Sequence, residues 1–176
     1  MLVVSCSHGK HLGGKIARLL GKKHSSLIVG KFPDDELRVK LDCDVKNKEV
    51  VFVQSFYKDV SDCIIEIILA AHTAMELGAK KTVLIAPYFP YMRQDKRFHR
   101  GEAISQRIIA ELVDKYFDAV YIMDPHLHRE KKLEHIFKIK SKKLTANNLI
   151  ARYIKKNIRN PVIIGPDEES YKWARN

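Results

Sequence analysis

Thr82-Val-Leu-Ile-Ala-Pro-Tyr-Phe-Pro-Tyr-Met-Arg-Gln-Asp-Lys96 is where the fold of this chain declares itself. Its first five residues are a short apolar run of the kind that makes a buried strand. Pro87 and Pro90 then end the ladder, because each removes a backbone donor and restricts the residue before it. A second apolar-periodic segment begins near Glu102, so a helix follows the loop. In an α/β protein the loop leaving the carboxyl end of a strand is where ligands bind. Here Tyr88, Phe89 and Tyr91 offer flat apolar faces, while Arg93, Lys96, Arg97 and Arg100 offer cationic donors. That mixture suits a ligand with a flat ring and a polyanionic tail, such as a nucleotide.

Outward from this loop the pattern repeats. Strand-like runs occupy residues 2–5, 25–30, 36–41, 49–54, 82–86 and 119–123. Helical periodicity covers 9–20, 59–77 and 102–116, then a short segment at 129–137 and a later one at 145–156 with Thr145 as its cap. In the 59–77 helix Ile64, Ile67, Ile68, Ala71 and Met75 share a face and read as core, with His72 as an interior histidine. In the 102–116 helix the stripe is Ile104, Ile108, Ile109, Leu112 and Val113. Residues 138–141 read as irregular or extended and 161–165 as a final strand. The alternation predicts an α/β fold with a doubly wound, mostly parallel sheet flanked by helices.

With 45% hydrophobic and 30% charged residues, the 176-residue chain has the composition of a folded globular protein. No apolar run approaches the roughly 18 residues that cross a bilayer, and no signal peptide opens the chain, so a cytoplasmic protein without a membrane partner is expected. Cys6, Cys43 and Cys63 are odd in number and widely spaced, and read as reduced, buried thiols. Lys plus Arg number 32 against 21 Asp plus Glu, an excess of 11 that implies an anionic partner. Much of the lysine around 129–143 is accounted for by a solvated helix exterior. A nucleic-acid-binding module would explain the charge but not the acids at successive strand tips, so nucleic acid is not an expected partner.

Three smaller motifs bear on chemistry. Gly9, Gly14 and Lys15 have the spacing of a phosphate-binding loop, but Ile16 stands where magnesium needs a hydroxyl. The glycines are better read as letting a helix start close to a strand. Lys31-Phe-Pro-Asp-Asp-Glu36 joins two strands, and Phe32 is either tucked into the core or projects as a ring beside carboxylates that can accept from an adenine amino group or ribose hydroxyls. Asp124-Pro-His-Leu-His128 puts a carboxylate and two imidazoles at a strand tip. Tetrahedral zinc would need further ligands that no nearby residue supplies. Magnesium bridged by phosphate oxygens demands fewer. Asp167, Glu168 and Glu169 again place acids after the final strand.

Phe32-Pro-Asp-Asp-Glu36, Pro87 to Lys96, Asp124-Pro-His126 and Gly165-Pro-Asp167, in this order and spacing, resemble ribose-phosphate pyrophosphokinase, and the Asp-Pro-His-Leu-His form looks most like its shorter archaeal members. The resemblance implies a type I phosphoribosyltransferase-like fold of two similar halves, with an ATP-binding domain at 1–142 and the start of a second such domain at 143–176. It implies transfer of the diphosphoryl group of ATP to the anomeric hydroxyl of ribose 5-phosphate, with Mg2+ as cofactor, in a homo-oligomer of at least two subunits. It implies that Phe32 stacks on adenine in a neighbouring subunit's site and that Asp34, Asp35 and Glu36 contact the nucleotide. Arg93, Gln94, Lys96 and His126 would hold ATP, and Asp124, His126 and Asp167 would surround magnesium. Tyr88, Phe89 and Tyr91 would then pack the loop.

The family usually has glycine where Asp35 stands, although Asp tolerates a left-handed backbone better than most residues. Glycines also usually follow the aspartate matching Asp167, where this chain has Glu168, Glu169 and Ser170. The family's catalytic lysine and arginine and its ribose-phosphate loop are expected beyond Asn176, so these 176 residues are expected to bind ATP without turnover. The alternative is a non-catalytic, nucleotide-binding regulatory paralogue.

Overall fold

The computed structural model describes residues 1–127, 129–165 and 170. The chain runs β1 (Leu2–Ser5), α1 (Lys10–Leu19), β2 (Lys23–Lys31), β3 (Leu37–Leu41), β4 (Glu49–Val53), α2 (Val60–Glu76), β5 (Lys81–Ala86), α3 (Ser105–Tyr116), β6 (Ala119–Met123), a single 3-10 turn (Leu133–His135), β7 (Lys140–Leu144) and α4 (Asn147–Asn157). Seven strands form one sheet in the order β3-β2-β1-β4-β5-β6-β7. β2, β1, β4, β5 and β6 are parallel neighbours, and β3 runs antiparallel to β2. The expected mostly parallel α/β sheet is therefore the observed one.

The central strands are buried on both faces, as parallel strands covered by helices must be. Alternation along β4 sends Val50 and Phe52 to one side and Val51 and Val53 to the other. The larger core joins Leu2, Val4, Phe52, Leu84 and Ile122 to Ile64, Ile67 and Ala71 of α2 and to Ala110 and Val113 of α3. The smaller one joins Val3, Val51, Val53 and Val83 to Ala17 of α1. Helices thus cover opposite faces, and the winding reverses between β1 and β4.

β2 changes partner partway along. Residues 23–26 pair with β1, and residues 27–31 pair with β3. The β2–β3 hairpin therefore continues past the end of β1 as an arm roughly 17 Å long, at about 3.3 Å per residue.

Several expectations are corrected. Residues 129–137 form no helix beyond the 3-10 turn, because Leu133 and Phe137 are drawn into the core while the rest is too short to sustain a helix alone. Residues 161–165 form no strand; Val162 is 83% exposed, and no described residue supplies a pairing ladder. On α2 the buried stripe is Cys63, Ile64, Ile67, Ala70, Ala71 and Ala74, which rotates Met75 and His72 into solvent. His72 lies 3.7 Å from Glu76 and edge-on to Tyr116 instead of inside the core. On α3 Ile108 is exposed, and Gln106 and Ala110 take the buried positions. Cys43 is only half-buried, unlike Cys6 and Cys63, and all three thiols are free.

Two compact units divide the chain, Met1–Lys143 and Leu144–Asn176. In the second, Ala146 and not the expected Thr145 is the cap of α4 and makes no side-chain capping bond; Thr145, one residue earlier, only accepts from the Asn147 amide through Oγ1 at 3.2 Å, a local turn contact. Leu149, Ile150 and Tyr153 of that helix are exposed, so its apolar side is uncovered among the described residues.

Candidate functional site

Because β1, β4, β5 and β6 are parallel, the loops that follow them gather along one edge of the sheet. The loop after β5 is anchored by its rings. Phe89 is buried edge-on between Phe56 and Phe137, with centroids 5.7 and 5.6 Å away. Tyr91 is half-buried, adopts a left-handed backbone (φ 59°), and its hydroxyl lies 3.3 Å from Ser61 Oγ. Tyr88, by contrast, is exposed and does not pack the loop.

Beyond the rings, Arg93 and Lys96 are exposed and Gln94 is half-buried. Gln94 Oε1 accepts from Ser105 Oγ at 3.1 Å, and its backbone carbonyl accepts from the Gln106 amide, which ties this stretch to the start of α3. Lys96 Nζ sits 5.2 Å from the Phe98 ring centroid. The Glu102 carboxylate accepts from the Phe98 and His99 amides, both at 3.0 Å, and Arg97 Nε donates to the Glu102 carbonyl at 2.8 Å. The far side of the loop is thereby closed on itself.

The loop after β6 starts at Asp124, whose φ of 41° is unusual for a residue with a side chain. His126 is exposed two residues further on. Asp167 and His128 lie outside the described residues, and among the described residues no three His, Cys, Asp or Glu side chains converge as a metal cage. The donor set of Asp124 and His126 fits magnesium held largely by phosphate oxygens and water, and does not fit a closed structural site.

The tip of the arm carries Phe32, Asp34, Asp35 and Glu36, all exposed. Phe32 is 47% exposed, so of the two readings of this ring the projecting one is observed. The Phe32 amide donates to the Glu36 carbonyl at 2.8 Å and the Asp35 amide to the Phe32 carbonyl at 3.0 Å. Asp35 has φ 70°, so an aspartate adopts the left-handed conformation the turn requires. Along this arm, and along the loops after β5 and β6, the structure sets three groups of candidate residues on separate segments of the fold.

Sequence reasoning missed a buried polar network beneath the loops after β1 and β4. Glu66, on the inner face of α2, accepts from the Ser7 amide at 2.7 Å, from Ser7 Oγ at 2.6 Å and from Gln54 Nε2 at 3.2 Å. Gln54 Oε1 in turn accepts from the His8 amide at 2.9 Å, and His8 Nδ1 lies 3.3 Å from Cys63 Sγ. Burial, and then the Glu66 charge, push the Cys63 thiol up to about 11, which keeps it neutral and argues against a nucleophile. The available signal was Ile64-Ile-Glu-Ile-Ile68, a carboxylate set inside an apolar helical run. Packing explains Gly9 of the phosphate-loop spacing but not Gly14, where an added Cβ would make only ordinary contact with His24 at 3.7 Å. A Cβ on Gly9 would meet the Val53 carbonyl oxygen at 1.7 Å, and one on Gly13 would meet Ser5 Oγ at 2.0 Å.

Comparison with known proteins bears on this arrangement. Residues 1–116 match the N-terminal domain of ribose phosphate pyrophosphokinase. A ribose-phosphate pyrophosphokinase from Pyrococcus abyssi is 34% identical over 178 residues, covering 99% of this chain and 59% of its own. A phosphoribosyl pyrophosphate synthase-associated protein 2 from Bos taurus is 30% identical, covering 94% of this chain and 45% of its own. The crystal structure of phosphoribosylpyrophosphate synthetase from Mycobacterium smegmatis superposes with a TM-score of 0.78 at 23% identity, over 89% of this chain and 52% of that one, which shows a common fold. This chain therefore spans roughly half to three-fifths of the length of these relatives.

Proposed function

The chain belongs to the ribose-phosphate pyrophosphokinase family, and on that premise we propose that the whole protein transfers the diphosphoryl group of ATP to the C1 hydroxyl of ribose 5-phosphate. The products are phosphoribosyl pyrophosphate, which feeds nucleotide biosynthesis, and AMP. What supports this reading is that β5 and β6 are parallel neighbours, so the loop with exposed Arg93 and Lys96 and the loop with Asp124 and exposed His126 leave the same end of the sheet.

Attack on the β-phosphorus spreads negative charge over phosphate oxygens, so positioning and fixed cations dominate such chemistry. Arg93 and Lys96 supply those cations, and Gln94, anchored to Ser105, presents its side chain beside them. When bound, Mg2+ would supply neutralisation of phosphate charge. Asp124 and His126, with Asp167, are the residues assigned to hold it. Phe32 provides a stacking face for adenine, with Asp34, Asp35 and Glu36 around the nucleotide. The projecting arm suits delivery of that ring to a neighbouring subunit, in a homo-oligomer of at least two. On this reading residues 1–142 form the ATP-binding domain and 143–176 begin a second domain of the same type, in a cytoplasmic protein. No helix among the described residues is long and apolar enough to cross a membrane.

A second reading, a nucleotide-binding regulatory paralogue, draws support from the likeness to the synthase-associated protein. The test is calorimetry with Mg-ATP, followed by an assay of AMP release from ATP and ribose 5-phosphate. A polypeptide of these 176 residues is expected to bind ATP and release no AMP. Failure to bind overturns the nucleotide reading, and sustained AMP release overturns the placement of the catalytic loop outside these residues. AMP release by a longer natural form favours the enzyme over the paralogue.

A further inference from the structure

Asp95 stands between Arg93 and Lys96, both exposed, yet only 3% of its own side chain reaches water. Both oxygens of its carboxylate accept from one residue of another loop. Arg129 Nη1 donates to Asp95 Oδ1 at 2.5 Å, and the Arg129 amide donates to Oδ2 at 3.4 Å. The Arg129 guanidinium also lies 6.0 Å from the Phe98 ring centroid, so Phe98 receives both Arg129 and Lys96. Asp95 lies in the loop after β5, and Arg129 lies in the loop after β6, 34 positions later.

We infer that the Asp95–Arg129 pair is a brace that fixes the spacing between the loop bearing Arg93, Gln94 and Lys96 and the loop bearing Asp124 and His126. Both are then positioning residues for nucleotide binding, an inference that rests on the reading of these loops as the ATP site. A buried carboxylate cannot leave its cation without being rehydrated or left bare, and a bare buried charge is strongly disfavoured. The loops therefore shift together or not at all. Gln94 adjoins Asp95, and His126 is three residues from Arg129, a span of at most about 10 Å of chain. The brace thus acts close to the groups it positions. It also cancels one acid of the loop, so a polyanion approaching Arg93 and Lys96 meets cations without a competing carboxylate. Arginine suits this role because its planar fork can hold a carboxylate while its face rests on a ring.

The test compares wild type with Arg129→Gln, Asp95→Asn, the double variant and Arg129→Lys, by hydrogen exchange and by calorimetry with Mg-ATP. Amides of residues 92–97 should exchange faster in Arg129→Gln and Asp95→Asn while those of β4 and β5 keep their protection. Each single variant should weaken Mg-ATP binding roughly 5- to 30-fold, and the double variant should be no weaker than the worse single one, as for residues acting as a pair. Arg129→Lys, which keeps the charge, should recover much of the loss and guards against a variant that fails to fold. Unchanged exchange at 92–97 overturns the brace. Faster exchange with unchanged affinity makes the contact purely structural and overturns the positioning role. If wild type itself does not bind Mg-ATP, the nucleotide reading fails, and the exchange result alone decides whether the brace exists.

Discussion

Lys31 Nζ lies 3.0 Å from the Asp62 carboxylate, and this ion pair ties the far end of the β2–β3 arm, beside its tip, to the first turn of α2. Both side chains are about half exposed, so salt and water screen the pair and its role is to orient more than to stabilise. The hydrogen bond to Asp62, and then its charge, raise the Lys31 pKa, so the cation persists across the neutral range. Phe32 is the next residue. The tip that carries the ring is thus oriented by a contact between the last residue of β2 and α2.

Phe32→Ala should separate binding from folding. The ring is too exposed to support the core. If it stacks on adenine, its loss should weaken ATP binding by about 1–3 kcal/mol, the scale of base–aromatic stacking. Calorimetry should register that loss while the thermal midpoint stays within a degree or two of wild type. A protein that is destabilised but binds normally would put Phe32 in a structural role.

Arg93→Ala tests the loop after β5. Arg93 is exposed, so truncation leaves the fold intact. Removing a charge-assisted bond to phosphate should cost about 1–3 kcal/mol of ATP affinity. Titration at two ionic strengths should show a smaller salt dependence in the variant, because one cation has been removed. Equal affinity in both proteins would move the site elsewhere.

Gly9→Ala should be severe. The added methyl would fall on the Val53 carbonyl, a backbone atom of the central sheet that cannot step aside. Overpacking of this kind costs about 1–3 kcal/mol or more. Urea denaturation should show a lower midpoint with an unchanged slope. Lys15→Ala, which removes the lysine of the apparent phosphate loop but no close contact of this kind, should leave ATP affinity unaltered.

The thiols give a pH prediction. Burial and the Glu66 charge raise Cys63 from 9.0 to about 11, so the folded state holds the proton longer than the unfolded one. Its contribution to stability is fully present below about pH 9 and is lost as pH rises towards 11. The urea midpoint should decline across that window, and less steeply in Cys63→Ala. At about pH 8, iodoacetamide should label half-buried Cys43 before Cys6 and Cys63. Mass spectrometry after digestion reads the order directly.

Features that depend on neighbouring residues were legible in the sequence. The runs at 2–5 and 119–123 became strands with those bounds because a short, continuous apolar segment has few other fates in an α/β protein. The left-handed turn at Asp35 was legible only through the resemblance to a family that usually has glycine at that position. Features that depend on distant partners were not. Glu66 is satisfied by Ser7, 59 positions away, and Asp95 by Arg129, 34 away, and neither spacing has a periodic signature. Rotation of a helix about its axis was also hidden, since α2 has apolar residues on most sides, and a small turn about the axis decides whether Met75 or Ala74 faces inward.

The change of partner along β2 restricts what evolution can do with the arm. Val29 and Val39 pair across it and pack against the core, while Ile28 and Lys40 pair on the opposite face. Deleting or inserting one residue at the tip would shift the pairing by one and swap those faces. The length of the tip is therefore a fixed count set by the pairing of the sheet.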